Sequence, residues 1–180
     1  MATTTTTPVS IAEFEAMDDS FEDLELLNGE VIRMPFAQKK HMDISESLYQ
    51  ELKAALEHLR QTIPDRKFGR VHIEMPYYFE NEPNSWIRPD VSLTHPDQPF
   101  ERWYLGSPLI AFEIVSRNEP AARLDEKISV YLEHGASEVW VIYPTGRHAL
   151  VYSATGVRNE TRAFRSELLP GVEIPLDRIL

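Results

Sequence analysis

Three residues in the second half of the chain have types and spacing that could do chemistry together: Asp90 in WIRPDVSL, Glu113 in LIAFEIV and Lys127 in DEKISVYL. Glu113 interrupts an apolar run that reads as a strand buried on both faces, where an ionised carboxylate is costly unless a cation, a donor or a proton meets it. Asp90 follows Pro89 and opens a short apolar strand, so it can hang from the strand's beginning toward a cleft. Lys127 keeps helical spacing with Leu124, Ile128 and Tyr131, near the edge of the face packed on the sheet, with its stem on apolar surface and its ammonium in reach of a cleft. Each also has an ordinary reading: Glu113 paired with an Arg or on an edge strand, Asp90 as strand-entry chemistry, Lys127 as a solvated lysine. An Asp at a strand start, a Glu inside the next buried strand and a Lys on the following helix can nevertheless converge at one sheet edge. Two hard carboxylates plus waters suit Mg²⁺ or Mn²⁺, and a nearby Lys stabilises developing phosphoryl charge, so the chemistry would be phosphodiester hydrolysis with Asp90 and Glu113 as metal ligands.

Other residues are secondary candidates. Glu30, beside Asn28-Gly29, could add a third carboxylate from a hairpin, and His41, at the head of the longest helix, could contact phosphate or support the ligands. Glu46 has a weaker case. His72, Glu74 and Tyr78 fall on one strand face and read as its polar side rather than as a cleft rim. Trp86, Trp103 and Tyr104 could stack bases, but without interleaved basic residues they read as packing. No P-loop, G-x-G-x-x-G, H-E-x-x-H or G-x-S-x-G pattern occurs, so nucleotide-cofactor and serine-hydrolase readings have no local motif behind them.

The elements that must position these residues follow from periodicity. Ser10 and Glu13 have capping-box spacing ahead of a short helix through about Met17, interrupted by Asp18 and Asp19. LELLNGEVIRM predicts a two-residue β-hairpin turning at Asn28-Gly29. From His41 to Arg60, Ile44, Leu48, Leu52, Ala55, Leu56 and Leu59 recur at steps of three and four, which predicts the longest helix. One long strand is expected over Val71 to Phe79, turning at Glu82-Pro83-Asn84, then strands from about Arg88 to Leu93 and Leu109 to Val115. A helix over Ala121 to His134 stops at Gly135, and Glu138 to Tyr143 and His148 to Ser153 form a second hairpin.

The length of 180 residues fits a single α/β domain over 10–180 behind a disordered Thr-rich tail at 1–9. Apolar residues at 42% and charged residues at 26% exclude a fibrous or wholly disordered chain, and the absence of cysteine removes disulfides, thiolate zinc sites and cysteine nucleophiles. MATTTTTPVS has neither a basic n-region nor an apolar h-region, and no stretch approaches a membrane span, so a cytoplasmic protein without membrane association is expected. The net charge of −11 argues against a sequence-independent grip on duplex DNA by the isolated monomer. A local basic lane of Arg66, Lys67, Arg70, Arg88 and Arg117, a dimer cleft or a divalent metal would be needed to admit a phosphodiester.

The runs RPDVSL, PLIAFEIVS and DEKISVYLEHGASEVWVI resemble the Uma-two restriction-endonuclease family of the PD-(D/E)XK superfamily, and LELLNGEVIRM, His41 and LLPGVEIPLDRIL extend the likeness over most of the chain. The resemblance implies a restriction-endonuclease-like fold, a central mixed β-sheet flanked by helices with an N-terminal β-hairpin. It also implies a Mg²⁺-dependent endonuclease acting on DNA as a homodimer. Asp90 and Glu113 would be the metal ligands of the PD…(D/E)XK pattern. The pattern's Lys, two positions after the Glu, is replaced by Val115, and the family supplies it from the next helix, here Lys127. A second departure is Tyr143-Pro144, where relatives commonly carry an Asp. Two alternatives stand beside the nuclease: a non-catalytic binding or oligomerisation module that keeps the fold, and a hydrolase of RNA or a small phosphodiester. For a dimer, the Trp86 to Tyr104 region is the expected exposed apolar contact.

Overall fold

The computed structural model describes residues 7–17, 24–34, 38–80, 84–116 and 120–180. The expected tail is therefore outside it for residues 1–6, as are Asp18, Asp19, Glu82, Pro83 and Arg117. Val9, assigned by sequence to the tail, donates its N–H to the Gly29 carbonyl at 2.9 Å.

The Ser10 capping box forms as expected and starts α1 (Ile11–Glu15). β1 (Leu24–Leu27) and β2 (Glu30–Arg33) make the N-terminal hairpin, with Asn28 at φ 48° and Gly29 at φ 77°, both positive as the tight hairpin turn requires. The longest helix, α2 (Lys39–Thr62), has no side-chain N-cap bond. It is held instead by its apolar stripe, Ile44, Leu48, Leu52, Leu56 and Leu59, all buried, each contributing about 1.5–3 kcal/mol of burial.

The segment expected as one strand over Val71 to Phe79 is two, β3 (Val71–Ile73) and β4 (Tyr77–Phe79). The strand expected from about Arg88 to Leu93 begins only at Val91 as β6 (Val91–Leu93), and a separate strand the sequence reading did not assign, β5 (Ser85–Ile87), precedes it. Ile73 pairs with Val91 and Tyr77 with Ile87, so the two halves keep one register across a bend. The cause is local. Pro76 and Pro89 lack the N–H the ladder needs, and Glu74 takes a left-handed φ of 47°. The bend sends each strand from one sheet into another and lifts Asp90 out of the ladder at the seam.

β7 (Tyr104–Leu105), β8 (Ile110–Ile114), α3 (Ala121–Glu133), β9 (Glu138–Tyr143), β10 (His148–Ser153), β11 (Gly156–Glu160), β12 (Ala163–Phe164) and β13 (Ile174–Pro175) follow, then a 3₁₀ turn at Leu176–Arg178. Two mixed sheets result, one ordered β2-β1-β5-β4-β7, the other β11-β10-β9-β8-β6-β3, with a small β12-β13 pair beside them. β8 and β9 run parallel through the α3 crossover, and the remaining pairs of the larger sheet are antiparallel.

The two-residue period of β8 divides the core. Ile110, Phe112 and Ile114 pack with the α2 stripe, together with Trp140 and Ile142 of β9. Ala111 faces the other way, into a cluster with Leu124, Ile128 and Tyr131 of α3 and Leu27 of β1. Glu113 is on the Ala111 face by the same alternation, so β8 aims a carboxylate at α3. Among the described residues no helix is long and apolar enough to cross a membrane.

Candidate active site

Glu113 is 4% exposed and Lys127 1%, so both belong to the interior. Lys127 Nζ lies 2.8 Å from Glu113 Oε1, and the Tyr131 hydroxyl donates to the same oxygen at 2.8 Å. Lys127 and Tyr131, four residues apart on α3, form one rung of its inner face. The sequence placed Lys127 near the edge of that face. It is instead fully enclosed, a position an ammonium tolerates only because carboxylates surround it.

One of those carboxylates was not anticipated. Glu25, on β1, is 1% exposed, and its Oε1 lies 3.5 Å from Lys127 Nζ while accepting the Arg88 N–H at 2.8 Å. It shares the inner face of β1 with Leu27, since Leu24 and Leu26 pack on the other side with Phe14 and Trp86. The signal that could have found it is the one that found Glu113, a single carboxylate inside an apolar run, here LELL. Glu30, the hairpin carboxylate singled out from sequence, is exposed at the start of β2.

Asp90 is fixed at three points. Its carbonyl accepts the Glu74 N–H at 3.2 Å, its Oδ1 lies 2.8 Å from His41 Nε2, and its Oδ2 accepts the Ile114 N–H at 2.6 Å. His41, in the first turn of α2, thus reaches the site as a support of Asp90. Asp90 and His41 side chains are 17% and 19% exposed, so this pair forms the solvent-facing end of a cluster whose other end is buried. A surface groove of about 270 Å³ between α1 and the 99–105 loop shares none of these residues.

The electrostatics follow from burial. Loss of water pushes the Glu113 carboxyl up, to about 8; the Lys127 ammonium pulls it down, while Asp90 and Glu25 push it up further. For Lys127, burial favours the neutral amine, but Glu113, Glu25 and Asp90 outweigh it and hold the ammonium above its ordinary range. Burial and the Glu113 charge raise the Tyr131 phenol well above its usual value, so it stays a donor. Glu113 Oε2 has no hydrogen-bond partner among the described residues, and Asp90 carries lone pairs beyond its two bonds. No three His, Asp or Glu side chains converge with metal-binding spacing among the described residues. Two carboxylates with open lone pairs still fit a Mg²⁺ ion, which keeps several of its waters.

The secondary candidates are scattered. Lys67 is paired with Asp97 at 3.0 Å, and Arg66 donates to the Leu168 carbonyl at 2.9 Å. Arg70 sits opposite Thr94, roughly 13 Å of strand away from Asp90. Among the described members of the basic lane only Arg88 is beside the cluster, its guanidinium 5.6 Å over the Trp86 ring. The bend at Glu74 separates His72, 3.2 Å from the Tyr104 hydroxyl, from Tyr78 on β4. Trp86 is 2% exposed and packed between Phe14 and Trp103, so the 86–104 region exposes Phe100 but not this tryptophan.

No curated protein matches the chain. Among solved structures it is similar to a protein from Anabaena variabilis ATCC 29413 described as a "putative nuclease belonging to DUF820", with 19% identity, a TM-score of 0.80, and coverage of 96% of this chain and 97% of that one. At that identity the likeness concerns the fold, a mixed α/β architecture of sheets flanked by helices. The family is fixed separately: over residues 11–177 the chain matches Uma2, described as "Putative restriction endonuclease", and it belongs to that family.

Proposed function

We propose that the protein is a metal-dependent nuclease that hydrolyses phosphodiester bonds of DNA at Asp90, Glu113 and Lys127. The observation that carries this reading is the junction of the two acidic residues: the backbone N–H of Ile114, next to Glu113, holds Asp90 Oδ2 at 2.6 Å. Asp90 is thereby tied to the backbone beside Glu113 at a sheet seam, and a buried ammonium lies 2.8 Å from the Glu113 carboxylate.

In this reading Asp90 and Glu113 hold Mg²⁺ or Mn²⁺, which supplies Lewis acidity at the phosphoryl oxygen and acidifies water. His41 orients Asp90 through Oδ1 and leaves its remaining lone pairs toward solvent. Tyr131 and Lys127 hold Glu113 Oε1, which leaves Oε2 as the oxygen that would take a ligand. Lys127 also counters negative charge developing on the substrate phosphate, an electrostatic role suited to a water-poor site. The buried ion cluster argues against the non-catalytic module, because an apolar core of the same volume would be as stable or more so.

The net charge of −11 and the dispersal of Arg66, Lys67 and Arg70 favour a substrate that needs few phosphate contacts, so single strands and RNA belong in the test. We expect supercoiled plasmid, single-stranded DNA and RNA to be cleaved only when Mg²⁺ or Mn²⁺ is added, with DNA preferred. Cleavage of RNA alone would redirect the reading to an RNA hydrolase, and cleavage unaffected by chelator would exclude the metal. A homodimer in the cytoplasm accompanies this proposal, and sedimentation tests the dimer.

A further inference from the structure

We propose that Glu25 is a positioning residue of this site, holding the Lys127 ammonium and the Arg88–Asp90 segment together and keeping its second carboxylate oxygen for the charge of a bound divalent cation. The inference rests on the metal-dependent reading above. Neither the PD…(D/E)XK pattern nor the spacing of Glu30 points to it.

Three observations meet in this side chain. Glu25 Oε1 accepts the Arg88 N–H at 2.8 Å, two residues before Asp90, so β1 helps set where the bent strand leaves the ladder. The same oxygen is 3.5 Å from Lys127 Nζ, which places the ammonium between Glu25 and Glu113 rather than on Glu113 alone. Its Oε2 is buried without a hydrogen-bond partner among the described residues. A buried carboxylate oxygen with no donor is costly, and a structural counter-ion for Lys127 does not require it. A cation does. Two carboxylates, Glu25 and Glu113, flank one buried ammonium and the Asp90 charge acts on it from further off, so acidic groups outnumber the cation here and a divalent ion would offset the excess.

The alternative is that Glu25 serves only the fold, as partner of Lys127 and of the Arg88 amide. Glu25→Gln keeps an acceptor for the Arg88 N–H but loses the charge and the free oxygen, so metal affinity, read beside metal-free stability, distinguishes the two roles. Mn²⁺ affinity is measured by paramagnetic resonance on wild type and Glu25→Gln, with the melting temperature of each in chelator. At a temperature where both are folded in chelator, wild type should bind Mn²⁺ and Glu25→Gln should bind about 10- to 100-fold more weakly, the range seen when residues supporting a metal's ligands are changed. Unchanged Mn²⁺ affinity with a lowered melting temperature would overturn the inference and leave the nuclease reading standing. Wild type that binds no Mn²⁺ overturns both. If Glu25→Gln does not fold, Glu25→Asp, which keeps the charge but retracts it, provides the same comparison: weakened Mn²⁺ binding supports the role and wild-type affinity overturns it.

Discussion

The Ile114 N–H donates to Asp90 Oδ2 at 2.6 Å, so the backbone of the strand that carries one acidic residue clamps the side chain of the other. This makes the geometry of Asp90 depend on β8 as well as on its own strand. Asp90→Ala should leave that amide without an acceptor and cost about 1–3 kcal/mol. Asp90→Asn keeps an acceptor and should unfold in urea close to wild type while losing metal binding. Equal destabilisation by both would show that the clamp contributes little.

Lys127→Met tests the buried ammonium. Removing it leaves Glu113 and Glu25 facing each other in the interior, and breaking such a pair costs about 3–5 kcal/mol. Urea unfolding of the variant should show a loss in that range, and the double variant Lys127→Met/Glu25→Gln should recover part of it. A surface lysine would show a change within about 0.5 kcal/mol.

The Glu113 carboxyl gives a pH dependence whose sign is set by its upward shift. Its value moves from 4.5 when exposed to about 8 in the fold, with burial as the first cause. The folded chain therefore binds this proton more tightly than the unfolded one. The associated stability is complete below about 4.5 and is lost as pH rises to about 8. In chelator, the stability of Glu113→Gln should decline less than that of wild type across that window. At pH 7 metal binding should release protons, measurable as a buffer-dependent heat. A steeper decline for Glu113→Gln would contradict the assignment.

Tyr131→Phe removes one donor from Glu113 Oε1 and leaves Lys127 in place. A buried hydrogen bond of this kind contributes about 0.5–1.5 kcal/mol, or up to about 3 with a charged acceptor. Metal affinity should fall by less than in Asp90→Asn. Affinity lost as fully as in Asp90→Asn would mean that Tyr131, not Lys127, sets the Glu113 rotamer.

Much of this arrangement was legible in the sequence because it is carried by local contradictions. Glu113 inside LIAFEIV and Lys127 on an apolar helical stripe are both charges where the pattern requires none, and the fold brings them to 2.8 Å. The turn at Asn28-Gly29 and the cap at Ser10 were equally readable, since both depend on chemistry within four residues. What escaped depends on distant contacts. Reading Val71 to Phe79 as one strand weighed its β-branched and aromatic residues above Pro76, yet the matching Pro89 opposite turns the pair into a bend between two sheets. Glu25 was missed because a hairpin strand has an outer face by default, and only the docking of α3, about a hundred residues later, covers it. Whether Arg66, Lys67, Arg70 and Arg88 form a basic lane was a question the sequence left open, and Arg66 and Lys67 are engaged elsewhere, which weighs against duplex DNA as the substrate.

The central claim is that Asp90 and Glu113 together hold the metal on which cleavage depends. Its most direct test is cleavage of a plasmid and a single-stranded DNA substrate during Mg²⁺ and Mn²⁺ titration, with wild type, Asp90→Ala and Glu113→Ala each first shown to be folded by circular dichroism. Wild type should cleave only with metal, and both folded variants should lose activity by well over the roughly 100-fold that loss of a supporting residue causes. Cleavage by either folded variant at the wild-type rate, or no metal binding and no cleavage by wild type on any substrate, would contradict the account and leave the fold as a binding module.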